Sequence, residues 1–151
     1  MKYNGPMKLL TILLFTPFLL THAKLEPFET DTCTFFIDGS WSECCIEHDV
    51  RYWLGGSQER MDESDLKLRK CVEEKSNNIW SSLIYQGVRL GHLSPIKSKY
   101  EWAWGWSEQD EKFSPLNQKQ KAIAVDALRK SGLKPEVIET IIKDHELEVF
   151  E

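Results

Sequence analysis

The chain has no apolar run long enough to span a bilayer comfortably. The longest, Leu9 to Leu20, follows Lys2 and Lys8 and ends at Thr21-His22-Ala23. That order of charge, apolar core and small residue predicts a secretory signal peptide over residues 1–23 rather than an anchor. Positive charge is also short, with 19 Lys and Arg against 24 Asp and Glu and a formal net charge of −5. Residues 1–23 hold two of the lysines and no acid, so the exported part has 17 basic against 24 acidic residues, a charge of −7. Such a surface argues against a nucleic-acid partner and offers no bulk attraction to anionic lipid. No internal repeat or low-complexity stretch is present. Neither G-x-S-x-G nor H-E-x-x-H occurs, which removes the serine-hydrolase elbow and the zinc-protease helix.

Cysteine is scarce, and its four copies (Cys33, Cys44, Cys45 and Cys71) all follow the expected signal peptide. An even count in an exported chain predicts disulfides, in preference to a zinc site built from Cys44, Cys45 and His48. Four cysteines allow three pairings. Neighbours in a helix rarely bond each other, so two remain.

The remaining residues, 24–151, suit a single all-α domain with irregular, disulfide-tied loops. Its parts are a core over 33–91, a tryptophan-rich segment over 100–113 and C-terminal helices over 115–147. Ser40 with Glu43 three residues on reads as a capping box, so a first helix is predicted from Trp41 to the breakers Gly55-Gly56. A second helix is predicted from between Gln58 and Asp62 to Tyr85 or Leu90. Its inward stripe is Asp65, Leu68, Val72, Ile79 and Leu83. Residues 87–97 read as a turn-rich connection. Trp102, Trp104 and Trp106 then alternate, as a packed lid over the core in preference to a membrane-inserting edge. Ser114-Pro115 opens a third helix ending near Ser131-Gly132, and Pro135 opens a fourth.

The chemistry gathers on the first helix. Cys44, His48 and Tyr52 follow at four-residue steps on one face, with Cys45 and Asp49 on the next. Cysteines held in disulfides cannot act as nucleophiles. What remains is a histidine with carboxylates nearby, suited to activating water as a general base. Asp65, inward on the second helix, would accept the other ring N–H and fix the tautomer. Asp49 would hold a hard cation with backbone carbonyls of the 33–40 loop. Taken singly, each residue has a plainer explanation, as a surface pair, a cap or a stabilising salt bridge.

The joint spacing C-C-x-x-H-D-x-x-Y, followed by an aspartate and a cysteine six residues apart (Asp65 and Cys71), resembles the core of secreted phospholipase A2. The resemblance covers roughly Cys33 to Val72. More closely, C-T-F-F-I-D-G-S-W-x-x-C-C-x-x-H-D-x-x-Y-W-x-G-G looks like a bacterial branch of phospholipase-A2-like exported proteins, as do residues 85–91 and 102–106. It implies a disulfide-linked antiparallel helix pair, with Cys44 bonded to Cys71 and Cys33 to Cys45. It also implies calcium-dependent hydrolysis of the sn-2 ester of glycerophospholipids, by a secreted or periplasmic monomer acting at a phospholipid membrane surface. His48 would be the base, Asp65 its partner and Tyr52 a further member of that network. Asp49 would ligate Ca2+ with Phe36, Asp38 and Gly39. The chain departs from the family in lacking its glycine-rich calcium loop, for which only Asp38-Gly39 stands, and in placing Arg51 where many relatives have a cysteine. A runner-up function is an inactive module of the same type that binds lipid or protein.

Overall fold

The computed structural model describes residues 24–33, 36–93, 99–107 and 111–148; the expected signal peptide lies outside them. Among the described residues the fold is all-helical: α1 (Ser42–Leu54), α2 (Gln58–Lys75), α3 (Asn78–Leu93), α4 (Gln118–Lys130) and α5 (Pro135–Asp144). The only pairing of extended chain there is an isolated bridge from Leu25 to Trp106. No described helix is long and apolar enough to cross a membrane.

Helix α1 is the centre of the molecule, with nine of its 13 residues buried. Val50, Trp53 and Leu54 pack on Ala124 and Leu128 of α4 and on Ile138, Ile141 and Ile142 of α5. Its opposite side, through Cys44 and Cys45, joins Leu68 and Val72 of α2 and Ile84 of α3. Two disulfides fix it in place. Cys33–Cys45 ties it to the leading segment and Cys44–Cys71 to α2, with Cα separations of 5.2 and 5.8 Å. These are the pairs that the resemblance implies. Each cross-link stabilises by about 2–4 kcal/mol if it acts by restricting the unfolded chain.

A helix leaves its last four carbonyls without partners, and here the tryptophan-rich segment supplies most of them. The Arg51 carbonyl accepts from Gly55 N–H at 3.0 Å, that of Tyr52 from Ala103 N–H at 2.7 Å and that of Trp53 from Gly105 N–H at 3.1 Å. The Leu54 carbonyl accepts from the Trp106 indole at 2.7 Å, and the Trp102 indole reaches the Gly56 carbonyl at 2.9 Å. Trp102 and Trp106 are buried. The segment is a cap and lid on α1, and Trp104 is partly buried against the same core.

Several local expectations change. Ser40 does not cap α1, since its hydroxyl donates to the Lys75 carbonyl at the end of α2 while Glu43 pairs with Lys134. Trp41 is the N-cap and makes no side-chain cap bond. The long second helix is two helices. Ser76 caps back onto Val72, and the Asn77 side chain accepts from Ile79 and Trp80 N–H, starting α3. The break rotates the stripe, so Ile79 and Leu83 are exposed while Trp80 and Ile84 turn inward. Residues 87–93 belong to α3 rather than to a connection. Helix α4 starts later than Ser114-Pro115, at a capping box of Asn117 and Gln120. Gly132, with φ +78°, ends the turn after it.

Gly55 holds the geometry on which this cap depends. Its φ of 69° and ψ of −153° suit glycine alone, and a Cβ there would stand 2.4 Å from that of Ala103. Gly55→Ala should therefore lose about 2–5 kcal/mol. Gly91→Ala, in open helical surface with nothing within 4 Å, should be neutral or gain about 0.5–1 kcal/mol. Urea unfolding of the two variants checks this, and equal stabilities would refute it.

Candidate active site

The four-residue step on α1 stacks His48 against Tyr52, ring centroids 4.2 Å apart. Antiparallel α2 brings Asp65 opposite them with no exposed surface. One carboxylate oxygen of Asp65 (Oδ1) accepts from the Tyr52 hydroxyl at 2.7 Å and lies 2.9 Å from His48 Nε2. The other (Oδ2) accepts from Arg89 Nη1 at 3.1 Å and stands 3.8 Å from His92 Nε2. Arg89 also holds Asp62. The His92 Nε2 atom is 2.5 Å from the Tyr52 oxygen.

Burial alone would push Asp65 towards its neutral form. The bonds from His48 and Tyr52, and the positive charge of the histidines when protonated, overcome this and hold the carboxyl below its ordinary value. Asp65 is thus a carboxylate that only accepts. His48 Nε2 therefore carries the hydrogen, and Nδ1 keeps the lone pair a base needs. Tyr52 is pushed well above the ordinary phenol range, by burial first and then by Asp65, and stays protonated.

The structure thus brings His48, Tyr52 and Asp65 together and adds Arg89 and His92, which the sequence reading left at the end of the second helix or in the connection after it. Continuing the helix through residue 93 would have found them, because Arg89 and His92 are three apart and share a face.

Two of the four expected metal ligands, Gly39 and Asp49, stand apart. Asp49 is buried, and Thr30 of the leading segment donates to it at 2.5 Å. The Gly39 carbonyl accepts from Ser42 N–H and Oγ at the start of α1, seven residues or about 10 Å of helix rise before Asp49. Oxygens on one calcium ion, each about 2.3–2.6 Å from it, lie within about 5 Å of each other. Gly39 and Asp49 therefore cannot share an ion. Asp38 is exposed, and Phe36 turns back to donate to the Cys33 carbonyl. Thr34 and Phe35 of that loop lie outside the described residues. Among the described residues no group of three or more His, Cys, Asp or Glu is placed to hold a metal. A cavity of about 220 Å³ lies at the α1–α2 turn, lined by Gly55, Arg60 and His145 among others, and does not border the Asp65 cluster.

Asp49 is the opposite of Asp65. Burial, reinforced by the charge of Asp31 and opposed only by Thr30, pushes its carboxyl up to about 7. The unfolded carboxyl ionises near 3.8. Between those values the folded chain keeps a proton that the unfolded chain has lost, so this residue's contribution to stability falls as pH rises through that window and is level above it. Asp49→Asn should therefore be more stable than the parent at pH 8, by on the order of 1–4 kcal/mol, and lose that advantage at pH 4. Denaturant titrations at both pH values in chelator test this; a variant no more stable at pH 8 would contradict it.

Compared with known protein families, with curated proteins and with solved structures, the chain matches none, and the reading of the site rests on its own residues.

Proposed function

We propose that the protein is a phospholipase-A2-like hydrolase of the sn-2 ester of glycerophospholipids, working outside the cytoplasm as a secreted or periplasmic monomer. The observation that carries this reading is the His48–Asp65 pair, a 2.9 Å contact to a carboxylate with no exposed surface. It stands at the spacing that resembles that family, one helical turn after the two cysteines whose disulfides hold α1 fixed. The disulfides also suit an oxidising compartment.

In this reading His48 Nδ1 takes a proton from a water molecule as its oxygen attacks the ester carbonyl. Asp65 holds the tautomer and stabilises the imidazolium that forms, and His48 then returns the proton to the departing alcohol. No step is routed through a metal, because the Gly39 carbonyl and Asp49 stand apart. That same mismatch supports a second reading, in which the scaffold is kept as an inactive module that binds lipid or a protein.

The test is fatty-acid release from mixed phospholipid vesicles by the oxidised protein, with and without chelator. His48→Gln keeps a polar side chain but no basic nitrogen, and should lower the rate by about 10²–10⁴-fold. Circular dichroism and the two disulfides should stay as in the parent. A parent-like rate in that variant would defeat the catalytic assignment, and no release by the parent on any vesicle would favour the binding module. Activity that requires added calcium would mean that Asp49 binds the ion with donors beyond those described.

A further inference from the structure

The Tyr52 hydroxyl has one hydrogen and two contacts that could claim it, Asp65 Oδ1 at 2.7 Å and His92 Nε2 at 2.5 Å. If His92 Nε2 bore a lone pair, the two acceptors would compete, and one of two close contacts would be left without a hydrogen. Asp65 is an anion, so the contacts are all satisfied only when His92 Nε2–H donates to Tyr52 and Tyr52 donates to Asp65. The charges facing His92 are Asp65 on α2, His48 on α1, Arg89 on α3 and Lys112 ahead of α4. Partial burial leads, helped by Arg89, His48 and Lys112 and opposed by Asp65, in keeping the proton affinity of His92 below the ordinary value. The ring is then neutral and bears a single hydrogen.

We propose that His92 is a positioning residue for the His48 base, fixing the Tyr52 hydrogen on Asp65 so that the carboxylate cannot rotate away from His48. Two imidazoles are thereby joined through one phenol and one carboxylate: the bond from His92 polarises the Tyr52 hydroxyl towards Asp65, and His48 donates to the same carboxylate from the other side. Arg89, one turn earlier on α3, closes the other side of the carboxylate at Oδ2. The site accordingly needs α3 as well as the α1–α2 pair. The proposal rests on His48 being the base, but its central claim concerns hydrogen positions that can be measured without any substrate.

Three measurements test it. Nitrogen NMR of the parent protein should show neutral His92 as the Nε2–H tautomer, and finding Nδ1–H would overturn the proposal whatever the variants do. The His48 Nε2–H should give a low-field proton resonance, assigned by its loss in His48→Gln. His92→Gln, which can still donate to Tyr52, should keep that resonance and a kcat within about threefold of the parent. His92→Leu should shift or broaden it and lower kcat by about ten- to a hundredfold, with KM little changed. A folded His92→Leu with the parent's resonance and rate would refute the proposal. If the parent hydrolyses no phospholipid, the reaction assigned above fails, while the tautomer and the resonance still decide the role of His92.

Discussion

Placing a carboxylate where no solvent reaches it costs several kcal/mol unless donors meet it on every side, and Asp65 has no exposed surface. That requirement organises the first three helices. Helix α1 brings His48 and Tyr52 to one oxygen, and α3 brings Arg89 to the other. Removing a partner from a buried charge of this kind costs about 3–5 kcal/mol, a large fraction of a domain's total stability. The Cys44–Cys71 bond lies about one turn before His48 on α1, so the covalent tie and the charged contacts enforce the same antiparallel register.

The rest of the molecule serves α1. Helices α4 and α5 cover its apolar side through Val50, Trp53 and Leu54. The tryptophan-rich segment ends it by taking the carbonyls of Tyr52, Trp53 and Leu54. Tyr52 joins the two tasks, because its carbonyl belongs to the cap while its hydroxyl belongs to the Asp65 cluster. The Trp102 ring meets the Tyr52 ring edge-on at 5.1 Å. A change in the cap would therefore be felt at the site through a single side chain.

The parts legible in the sequence were those set by local spacing. The four-residue steps from Cys44 through His48 to Tyr52, the Gly55-Gly56 stop and the inward Asp65 all follow from helical geometry, and they stand. Expectations failed where a tertiary partner outbid a local one. Ser40 and Glu43 have capping-box chemistry, but Ser40 bonds Lys75 and Glu43 bonds Lys134, both distant in sequence. The apolar stripe through Ile79 and Leu83 runs on in helical phase. Only the Ser76-Asn77 pair marks the break, with side chains that bond the backbone on either side of it. Arg89 and His92 were hidden because Gly87, Gly91 and Ser94-Pro95 suggest a loop, whereas Gly87 lies in helix under the Phe36 ring. The donor to Asp49, Thr30, carries no motif at all.

Asp49 and Asp65 show why residue type and burial together do not fix a role. Both are largely removed from water, yet one is held ionised and the other keeps its proton to about 7. The difference lies in the donors. Asp65 has two side chains donating to Oδ1 and a guanidinium on Oδ2, all from helices fixed in register. Asp49 has one hydroxyl and the unfavourable charge of Asp31. An aspartate so placed keeps its proton to about 7, and above that pH its charge has a single hydroxyl donor to meet it. Asp65 has its counter-charge built into α3. The protein's own residues therefore meet the Asp65 carboxylate on both oxygens and the Asp49 carboxyl through one hydroxyl.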